Sequence, residues 1–113
     1  MIILKDNNSI SANLNKKYDY YYEIFSDNIP IGYGAIANNN SDMLYMNIYE
    51  KYRGNNYGIQ VFESMMDKVK ELGLDKLFVI IENNNIQMNR IIAHKRFKII
   101  LQESNFKCYE IKI

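Results

Sequence analysis

The 113-residue sequence predicts one α/β domain, and two observations lead to that fold class. Short segments rich in aromatic and β-branched residues, separated by turn residues, predict strands. Two longer segments, with apolar residues three and four positions apart, predict amphipathic helices. A chain of this length can bury a single core. We therefore expect a single domain over residues 1–113 with the order β-β-β-loop-α-β-α-β-β.

The N-terminal segment carries the weakest signal. Its first seventeen residues are polar and show little periodicity. "MIILK" is compatible with a short strand, whereas "DNNSISANLNKK" reads as a loop in which we predict no helix. We expect residues 1–17 to be a short, weakly structured segment that precedes a core over residues 18–113.

Three strands are predicted next. "YDYYYEIF" and "IPIGYGAIA" have strand composition, and "SDN" between them supplies turn residues, so this region predicts a β-hairpin. "NNNSD" at Asn38 to Asp42 predicts another turn, because Asn and Asp bond to their own backbone and tolerate left-handed conformations. "MLYMNIY" is the third strand.

The clearest helix follows a glycine-bearing loop. Its apolar positions are Ile59, Phe62, Met65, Met66, Val69 and Leu72. This spacing places them on one helical face, and Gly73 stands where a C-terminal cap is expected. "DKLFVII" then predicts a buried strand.

A second, shorter helix and a hairpin complete the chain. "ENNN" predicts a loop that ends in an Asn N-cap, and "IQMNRIIAHKR" predicts a helix with Met88, Ile91 and Ile92 on one side. "FKIILQESNFKCYEIKI" predicts a hairpin that turns near residues 103–105.

Composition excludes several classes of function. Fourteen basic and thirteen acidic side chains give a net charge of +1, so no global field attracts nucleic acid or an anionic membrane. The longest apolar run, "LFVII", is far shorter than the roughly 18 residues of a membrane span. His94 and Cys108 are single residues of their kind without metal-ligand spacing, so we expect no metal site. Because no membrane span is predicted and a single cysteine can form no intramolecular disulfide, we expect a cytoplasmic location.

The loop "EKYRGNNYG" raises the possibility of an anion site. A strand-to-helix loop presents free backbone N–H groups at the positive end of the helix dipole. Gly54 and Gly58 would let the backbone curl, and Asn55 and Asn56 tolerate positive φ. The loop lacks the Gly-Lys-Ser/Thr of a Walker motif and the spacing of a dinucleotide fingerprint. From the residues alone, a plain turn is at least as good an interpretation as phosphate binding, and both remain open.

A family resemblance adds to this interpretation. The stretch from "MNIYEKYRGNNYG" to "HKRFKII" resembles the core of the GNAT superfamily of acyl-CoA-dependent N-acetyltransferases, and the resemblance covers Tyr18 to the C-terminus. The family's R/Q-x-x-G-x-G/A motif corresponds to Arg53 through Gly58, preceded by Tyr52. Asn56 stands where that motif has a glycine. The resemblance implies a GNAT-like fold with a central mixed, mostly antiparallel sheet and two main helices, and acetyl-CoA (CoA) as the cofactor.

The resemblance also implies the positions of the cofactor site. Backbone amides of residues 55–59 would hold the pyrophosphate, and the backbone of Met46 and Ile48 would pair with the pantetheine arm. The Met46 N–H would polarise the thioester carbonyl. Asn85 and Asn89 match positions that contact the arm, although helix capping would also explain them. The expected cofactor-binding residues are Met46, Ile48, Arg53, Gly54, Asn55, Asn56, Tyr57, Gly58, Ile59, Asn85 and Asn89.

The catalytic groups are less completely matched. Asp42 is the candidate general base, with a turn residue as the alternative, and Glu50 and Glu82 are poorer candidates. Ile92 occupies the position of the family's usual tyrosine general acid, and Arg96 that of a glycine. The tyrosines that would substitute are Tyr22, Tyr33 and Tyr45, although sheet packing accounts for most tyrosines here.

The expected activity is transfer of an acetyl group to a primary amine of a small molecule or peptide. The family usually forms much of the acceptor wall from an N-terminal strand and two helices, in place of which this sequence has about seventeen residues. Three arrangements stay open: an exposed acceptor site, a homodimer that completes it, or a degenerate CoA-binding or regulatory module without turnover. A base-stacking role for "YDYYY" is disfavoured because no Arg or Lys interleaves the tyrosines.

Overall fold

The structure is a computed structural model that describes residues 1–15, 17–38, 42–93 and 97–113. These residues form seven strands, two α-helices and two 3-10 helices. The strands are β1 (Ile2–Asp6), β2 (Tyr20–Ser26), β3 (Ile29–Ile36), β4 (Leu44–Ile48), β5 (Lys76–Glu82), β6 (Lys98–Gln102) and β7 (Phe106–Lys112). The α-helices are α1 (Tyr57–Glu71) and α2 (Ile86–Ala93), and the 3-10 helices span Asn8–Leu14 and Glu50–Tyr52.

The first sheet has the strand order β1-β2-β3-β4, with every pair antiparallel. Its β2–β3 hairpin turns at Asp27 and Asn28, which both take positive φ, 49° and 70°. Two consecutive left-handed residues are the requirement of the tight turn that suits twisted strands, and Asp and Asn tolerate it. The predicted hairpin at "SDN" is therefore confirmed.

The second sheet has the order β5-β7-β6 and is antiparallel as well. Strands β6 and β7 form the predicted C-terminal hairpin, which the Glu103 N–H closes by donating to the Phe106 carbonyl at 2.9 Å. The pairing register shifts once, between Ile99 and Leu101. β6 is the outer edge of this sheet, and all five of its residues are exposed.

The two sheets adjoin along β4 and β5 and do not form one continuous sheet. The Met43 N–H donates to the Phe78 carbonyl at 2.8 Å. In the described part of the chain, no other hydrogen bond between backbone groups joins β4, or the residue before it, to β5. The predicted α/β fold with mostly antiparallel strands is confirmed. The hydrogen-bonded strand pairs of the described residues form two sheets rather than one, because beyond the Met43–Phe78 bond β4 and β5 separate and border a cleft.

The core lies between the helices and one face of each sheet. α1 follows the predicted periodicity, since Val61, Phe62, Met65 and Val69 are fully buried. Ile59 is the exception: its side chain is 43% exposed. Both α2 residues Ile91 and Ile92 are buried, and Met88 is half-buried, as predicted. Gly73 ends the α1 region with a φ of 81°, the left-handed conformation expected of a C-terminal cap.

The N-terminal segment is more ordered than the sequence predicts. β1 pairs with β2 along all five of its residues. The stretch expected to be a loop forms the 3-10 helix Asn8–Leu14, whose N-terminus is capped by Asn7, because its Oδ1 accepts from the Ser9 N–H at 3.1 Å. Ile10 anchors this helix with only 7% of its surface exposed. Two apolar residues that pack through tertiary contacts, Ile10 and Leu14, leave little periodicity in the sequence, and the prediction of a loop was wrong for that reason.

The contact between β3 and β4 has no room for a side chain at Gly32. A Cβ on Gly32 would collide with the carbonyl oxygen of Asn47. We expect Gly32→Ala to lower the free energy of unfolding by about 1–3 kcal/mol, measured by urea denaturation. The matched change is Gly34→Ala, whose Cβ would lie 2.9 Å from the Tyr45 carbonyl oxygen and 3.0 Å from the flexible Met65 methyl group.

We expect the Gly34 variant to lose less stability than the Gly32 variant. A Gly32 variant that unfolds at the same urea concentration as the parent would contradict the close approach of the two strands.

Candidate functional site

A cleft runs between the facing edges of β4 and β5. Its first part has a volume of about 300 Å³ and its second part about 340 Å³. The first part is lined by Asp42, Leu44, Tyr45, Met46, Val79, Ile80, Ile81, Glu82, Asn85 and Met88. The second is lined by Met46, Asn47, Ile48, Arg53, Gly58, Asn85, Gln87 and Met88. Three residues are common to both parts, so the cleft is continuous from Asp42 to the start of α1.

The backbone of β4 presents unpaired polar groups to this cleft. The Tyr49 N–H donates to the Ile31 carbonyl at 2.8 Å, on the β3 side of the strand. The carbonyl of Asn47 also points toward β3, where it meets Gly32. Because backbone groups alternate along a strand, the N–H and C=O groups of Met46 and Ile48 point to the opposite side. The structure thus brings both predicted backbone positions to the cleft.

The loop before α1 leaves helix N–H groups free. Gly54 has a φ of 85° and Asn56, the N-cap, has a φ of 61°. Asn56 makes no side-chain capping bond. Among the described residues, none accepts a hydrogen bond from the backbone N–H of Tyr57, Gly58 or Ile59. These donors lie at the positive end of the α1 dipole, an arrangement that suits an anion.

Asn55 differs from its expected conformation, because its φ is not positive. Its side-chain amide instead donates to the Tyr52 carbonyl at 3.1 Å. This bond ties the loop to the end of the 3-10 helix Glu50–Tyr52. The left-handed turn is therefore carried by Gly54 and Asn56.

Gly58 serves packing rather than loop curvature. It is buried within the first turn of α1 and its φ is not positive, so its expected role in curling the loop is corrected. A Cβ at Gly58 would lie 2.9 Å from the Gln87 amide nitrogen and 3.4 Å from the Ile91 methyl group. The absent side chain lets α2 approach the start of α1.

Arg53 lies along the end of β4. Its Nε donates to the Ile48 carbonyl at 2.8 Å, and one terminal nitrogen donates to the Asn47 side-chain oxygen at 3.1 Å. Arg53 therefore anchors the anion loop to the strand, with its charge at the rim of the cleft. The Ile48 carbonyl has a second lone pair that remains available.

The two predicted asparagines have different positions. The Asn85 side chain caps α2 by accepting from the Met88 N–H at 3.2 Å, and it lines both parts of the cleft. The Asn89 amide donates to the carbonyls of Glu82 and Asn85 at 3.1 and 2.9 Å. Asn89 lines a separate depression of about 640 Å³ between α2 and strands β6 and β7. The structure does not bring it into the cleft; it holds the loop that positions Asn85.

Asp42 lies at the inner end of the cleft and is half-buried. Its Oδ2 accepts from the Tyr18 hydroxyl at 3.3 Å. Its Oδ1 is buried and has no hydrogen-bond partner in the described part of the chain. Burial raises the pKa of the Asp42 carboxyl, and the Ile80 backbone N–H, the Tyr18 hydroxyl and Lys17 act in the opposite direction. A carboxylate held in this way has a free oxygen that can accept a proton.

The other acidic candidates are less well placed. Glu82 lines the cleft at the end of β5 but is exposed. Glu50 is exposed in the 3-10 helix that precedes the loop and does not line the cleft.

The position of the expected general acid belongs to the core. Ile92 lies on α2, and its side chain is only 3% exposed because it packs in the main core. Of the tyrosines considered as substitutes, Tyr22 is buried in the main core, whereas Tyr45 lines the cleft. Burial, followed by the Tyr33 hydroxyl, raises the pKa of Tyr45 to about 12. Arg96 and His94 lie outside the described residues.

Several residues that line the cleft were not expected from the sequence: Leu44, Asn47, Val79, Ile80, Ile81, Gln87 and Met88. Met88 lines both parts, and Gln87 lies between the second part and the start of α1. Gln87 could be anticipated only from the buried glycine that faces it. Met88 was assigned to the core face of α2, and its half-buried position places it between core and cleft.

The described residues contain no group of histidine, cysteine or acidic side chains able to hold a metal ion. Within them, no helix has the length and apolar character needed to cross a membrane. Cys108 is buried on β7, and burial followed by the charge of Asp42 raises the pKa of its thiol.

Comparison with known proteins gives matches only among solved structures. No protein-family model and no curated protein matches the chain. The N-acetyltransferase PseH of Campylobacter jejuni, in complex with acetyl coenzyme A, has 14% identity and a TM-score of 0.77, with 99% of each chain covered. A GNAT family acetyltransferase of Elizabethkingia anophelis with acetyl-CoA bound has 13% identity and a TM-score of 0.76, covering 99% of this chain and 98% of that one. The IAA acetyltransferase of Bacillus cereus has 12% identity and a TM-score of 0.75, with both chains fully covered.

These likenesses extend along almost the whole chain, and at such low identity they establish the architecture. The chain has the fold of the GNAT acetyltransferases.

Proposed function

We propose that this protein is an N-acetyltransferase that binds acetyl-CoA and transfers the acetyl group directly to a primary amine. The observation that carries the proposal is the cleft in which the free backbone of β4 leads to the uncapped N-terminus of α1. The same fold holds acetyl-CoA in the structures from C. jejuni and E. anophelis.

The free edge of β4 suits the pantetheine arm. That arm is extended and carries two amide groups, which can pair with a strand edge as another strand would. Met46 and Ile48 supply the N–H and C=O groups on the cleft side of β4. Asn85 and Met88 form the floor where α2 begins. This fit rests on backbone groups, so it depends little on side-chain identity.

The start of α1 suits the pyrophosphate. Three unbonded N–H groups, those of Tyr57, Gly58 and Ile59, lie together at the positive end of the helix dipole in the described part of the chain. Arg53 adds a positive charge at the same rim. The left-handed Asn56 directs the chain into the helix without covering these donors with its own side chain.

The inner end of the cleft provides the groups for transfer. Bound acetyl-CoA would supply an acetyl group activated as a thioester: the amine nitrogen bonds to the acetyl carbon, the C–S bond breaks, and CoA leaves as a thiolate that takes a proton from water. The Met46 N–H is positioned to stabilise negative charge that develops on a carbonyl oxygen. The Oδ1 of Asp42, which has no partner among the described residues, accepts the proton that the incoming amine must lose. Tyr18 keeps the carboxylate oriented through its bond to Oδ2.

The alternative is a CoA-binding or regulatory module without turnover. Ile92 favours it, because a buried isoleucine stands where a tyrosine acid is expected and cannot protonate a leaving thiolate. Both interpretations require the cofactor cleft. Turnover of acetyl-CoA with a panel of amines distinguishes them.

Acetyl-CoA and CoA should stabilise the protein against heat. At one hundred times the dissociation constant, a ligand specific for the folded state contributes about 2.7 kcal/mol, which raises the melting midpoint of a domain of this size by several degrees. ATP, which lacks the arm, and pantetheine, which lacks the pyrophosphate, should each stabilise much less. A melting curve that ignores acetyl-CoA, or responds equally to ATP, would argue against the cleft as a CoA site.

Ile59→Pro should weaken acetyl-CoA binding by removing one of the free N–H groups. Proline is tolerated in the first turn of a helix, so the fold should persist. The loss of a hydrogen bond to a charged group predicts a rise in Kd of about tenfold or more, measured by isothermal titration calorimetry. Ile59→Ala is the matched control, because it removes an exposed side chain but keeps the N–H. Equal affinities of the two variants would show that the Ile59 N–H does not contact the ligand.

Asp42→Asn should separate catalysis from folding. We expect turnover at neutral pH to fall about 10²-fold or more, the scale of a lost general base, with little change in acetyl-CoA affinity. The asparagine amide introduced at this position keeps an oxygen that can accept from the Tyr18 hydroxyl. Steady-state rates and calorimetry measure the two effects, and unchanged rates across pH would return Asp42 to the role of a turn residue.

The same Asp42→Asn variant should be more thermostable than the parent at neutral pH. Because the folded state raises the pKa of Asp42, it holds the ionised carboxylate less favourably than the unfolded chain does. The destabilisation is complete above the raised pKa and disappears as pH falls below the ordinary value near 4. The melting temperature of the variant minus that of the parent should therefore be positive at pH 7 and shrink toward pH 4. A difference that grows on acidification would contradict the direction of the pKa shift.

A further inference from the structure

We propose that a row of five tyrosines on the outer face of the first sheet binds the acceptor, and that this acceptor is a small primary amine carried on an aromatic ring. The inference rests on the proposed acetyl transfer and names the class of acceptor. The residues, called here the tyrosine row, are Tyr18, Tyr21, Tyr33, Tyr45 and Tyr49.

The rings of the tyrosine row contact one another in sequence. Tyr21 meets Tyr18 edge-on at a centroid distance of 6.4 Å, and Tyr18 meets Tyr45 at 6.2 Å. Tyr33 stacks on Tyr45 at 5.8 Å with an interplanar angle of 27°, and Tyr49 follows at 6.1 Å. These distances lie in the range of favourable aromatic pairs. The row is therefore a continuous aromatic surface.

The strand register places this surface on the face away from the main core. Tyr21 is opposite Ala35, and Ala35 is opposite Tyr45, so these side chains share one face. The neighbouring residues of β4, Leu44 and Met46, pack on the other face with the main core. Sheet packing accounts for Tyr21, which is buried, but Tyr49 at the far end is 36% exposed. The half-buried Tyr33 lies between them.

The tyrosine row reaches the reacting end of the cleft. Tyr18 bonds to Asp42, the proposed base, and Tyr45 lines the same part of the cleft as Asp42 and Met46. An amine that approaches Asp42 from the outer face therefore lies within reach of aromatic rings. A ring attached to that amine by a short linker can stack along the row.

The charges of this face have both signs. Glu23 is directly opposite Tyr33 in the β2–β3 register, and Lys5 is directly opposite Glu23 in the β1–β2 register. Arg53 also reaches this face, because it donates to the side chain of Asn47, which is opposite Tyr33. The aromatic ring of the acceptor, and not its charge, is therefore the feature that the tyrosine row selects.

The 3-10 helix Asn8–Leu14 packs onto one end of the row. Its Ile10 forms a small cluster with Tyr21 and Ala35, and the residues packed against this cluster are Leu14, Tyr18, Tyr33 and Tyr45. The part of the row that stays accessible is therefore its other end, with the exposed Tyr49 and the half-buried Tyr33. This limited area suits a compact acceptor rather than a folded protein.

The test compares two amines of the same size. 2-Phenylethylamine and 2-cyclohexylethylamine have similar length and apolar surface, but only the first has a π system. Because the phenyl ring also lowers the pKa of the amine, the two are compared at equal concentrations of the neutral amine. We expect kcat/KM with acetyl-CoA to be about fivefold higher for the phenyl compound, the scale of one aromatic contact. Spermidine, which has no ring, should be poorer than either. Equal values for the phenyl and cyclohexyl amines would overturn the proposal.

Variants of the row locate the effect. Tyr33→Leu should remove the phenyl preference, whereas Tyr33→Phe, which keeps the ring, should retain it. Tyr49→Leu, at the exposed end, provides the second test where Tyr33→Leu does not fold. Each variant should bind acetyl-CoA with unchanged affinity by calorimetry. A phenyl preference that survives both leucine variants would contradict the role of the tyrosine row.

The measurements distinguish failure of this inference from failure of the proposed function. Acetyl-CoA binding without any phenyl preference overturns the tyrosine row alone. No acetyl-CoA binding overturns the proposed function. If acetyl-CoA binds but no amine turns over, calorimetry with CoA present measures the affinities for the phenyl and cyclohexyl amines. Tighter binding of the phenyl amine supports the inference, and equal or absent binding overturns it.

Discussion

The rest of the structure depends on the point at which the two sheets meet, where, among the described residues, one backbone hydrogen bond runs from the Met43 N–H to the Phe78 carbonyl. At this bond β4 and β5 adjoin, and beyond it they face each other across a cleft. The bond lies one residue from Asp42, so it also fixes the position of the carboxylate at the inner end of that cleft. The open backbone of β4, the entry to α2 and the start of α1 are arranged around the space that the missing pairing leaves. The candidate site is thus a consequence of where strand pairing stops.

Local features of the chain were the ones that could be predicted. The face of α1, the left-handed turn at Asp27 and Asn28 and the Asn85 cap each depend on residues close in sequence, and all three are present. The resemblance of "RGNNYG" to a pyrophosphate loop indicated where α1 begins. Nearly the whole order of strands and helices followed from such patterns. The main omission was the N-terminal 3-10 helix, which depends on the contact of Ile10 with the sheet.

Long-range relations could not be predicted in the same way. The break between β4 and β5 is a property of two strands that α1 separates in the chain, and no pattern within either strand shows it. Gly58 illustrates the same limit, because a glycine is needed there to leave room for Gln87 on α2 and not to let its own loop turn. Asn89 matched a cofactor position by spacing but bonds to the backbone of Glu82 and Asn85. For the candidate site, the sequence led to two backbone positions that do border the cleft, Met46 and Ile48, whereas the positions of the side chains depended on packing.

The unpaired edges of β4 and β5 have a consequence beyond ligand binding. A strand edge with free N–H and C=O groups is a template to which an extended segment of another chain can add, and natural proteins usually cover or charge such edges. Here the two edges border a cleft that must stay accessible. On the proposed function, a ligand paired with β4 would shield the groups that could otherwise recruit another chain. Occupancy of the cleft would then oppose association between chains as well as supply the reaction.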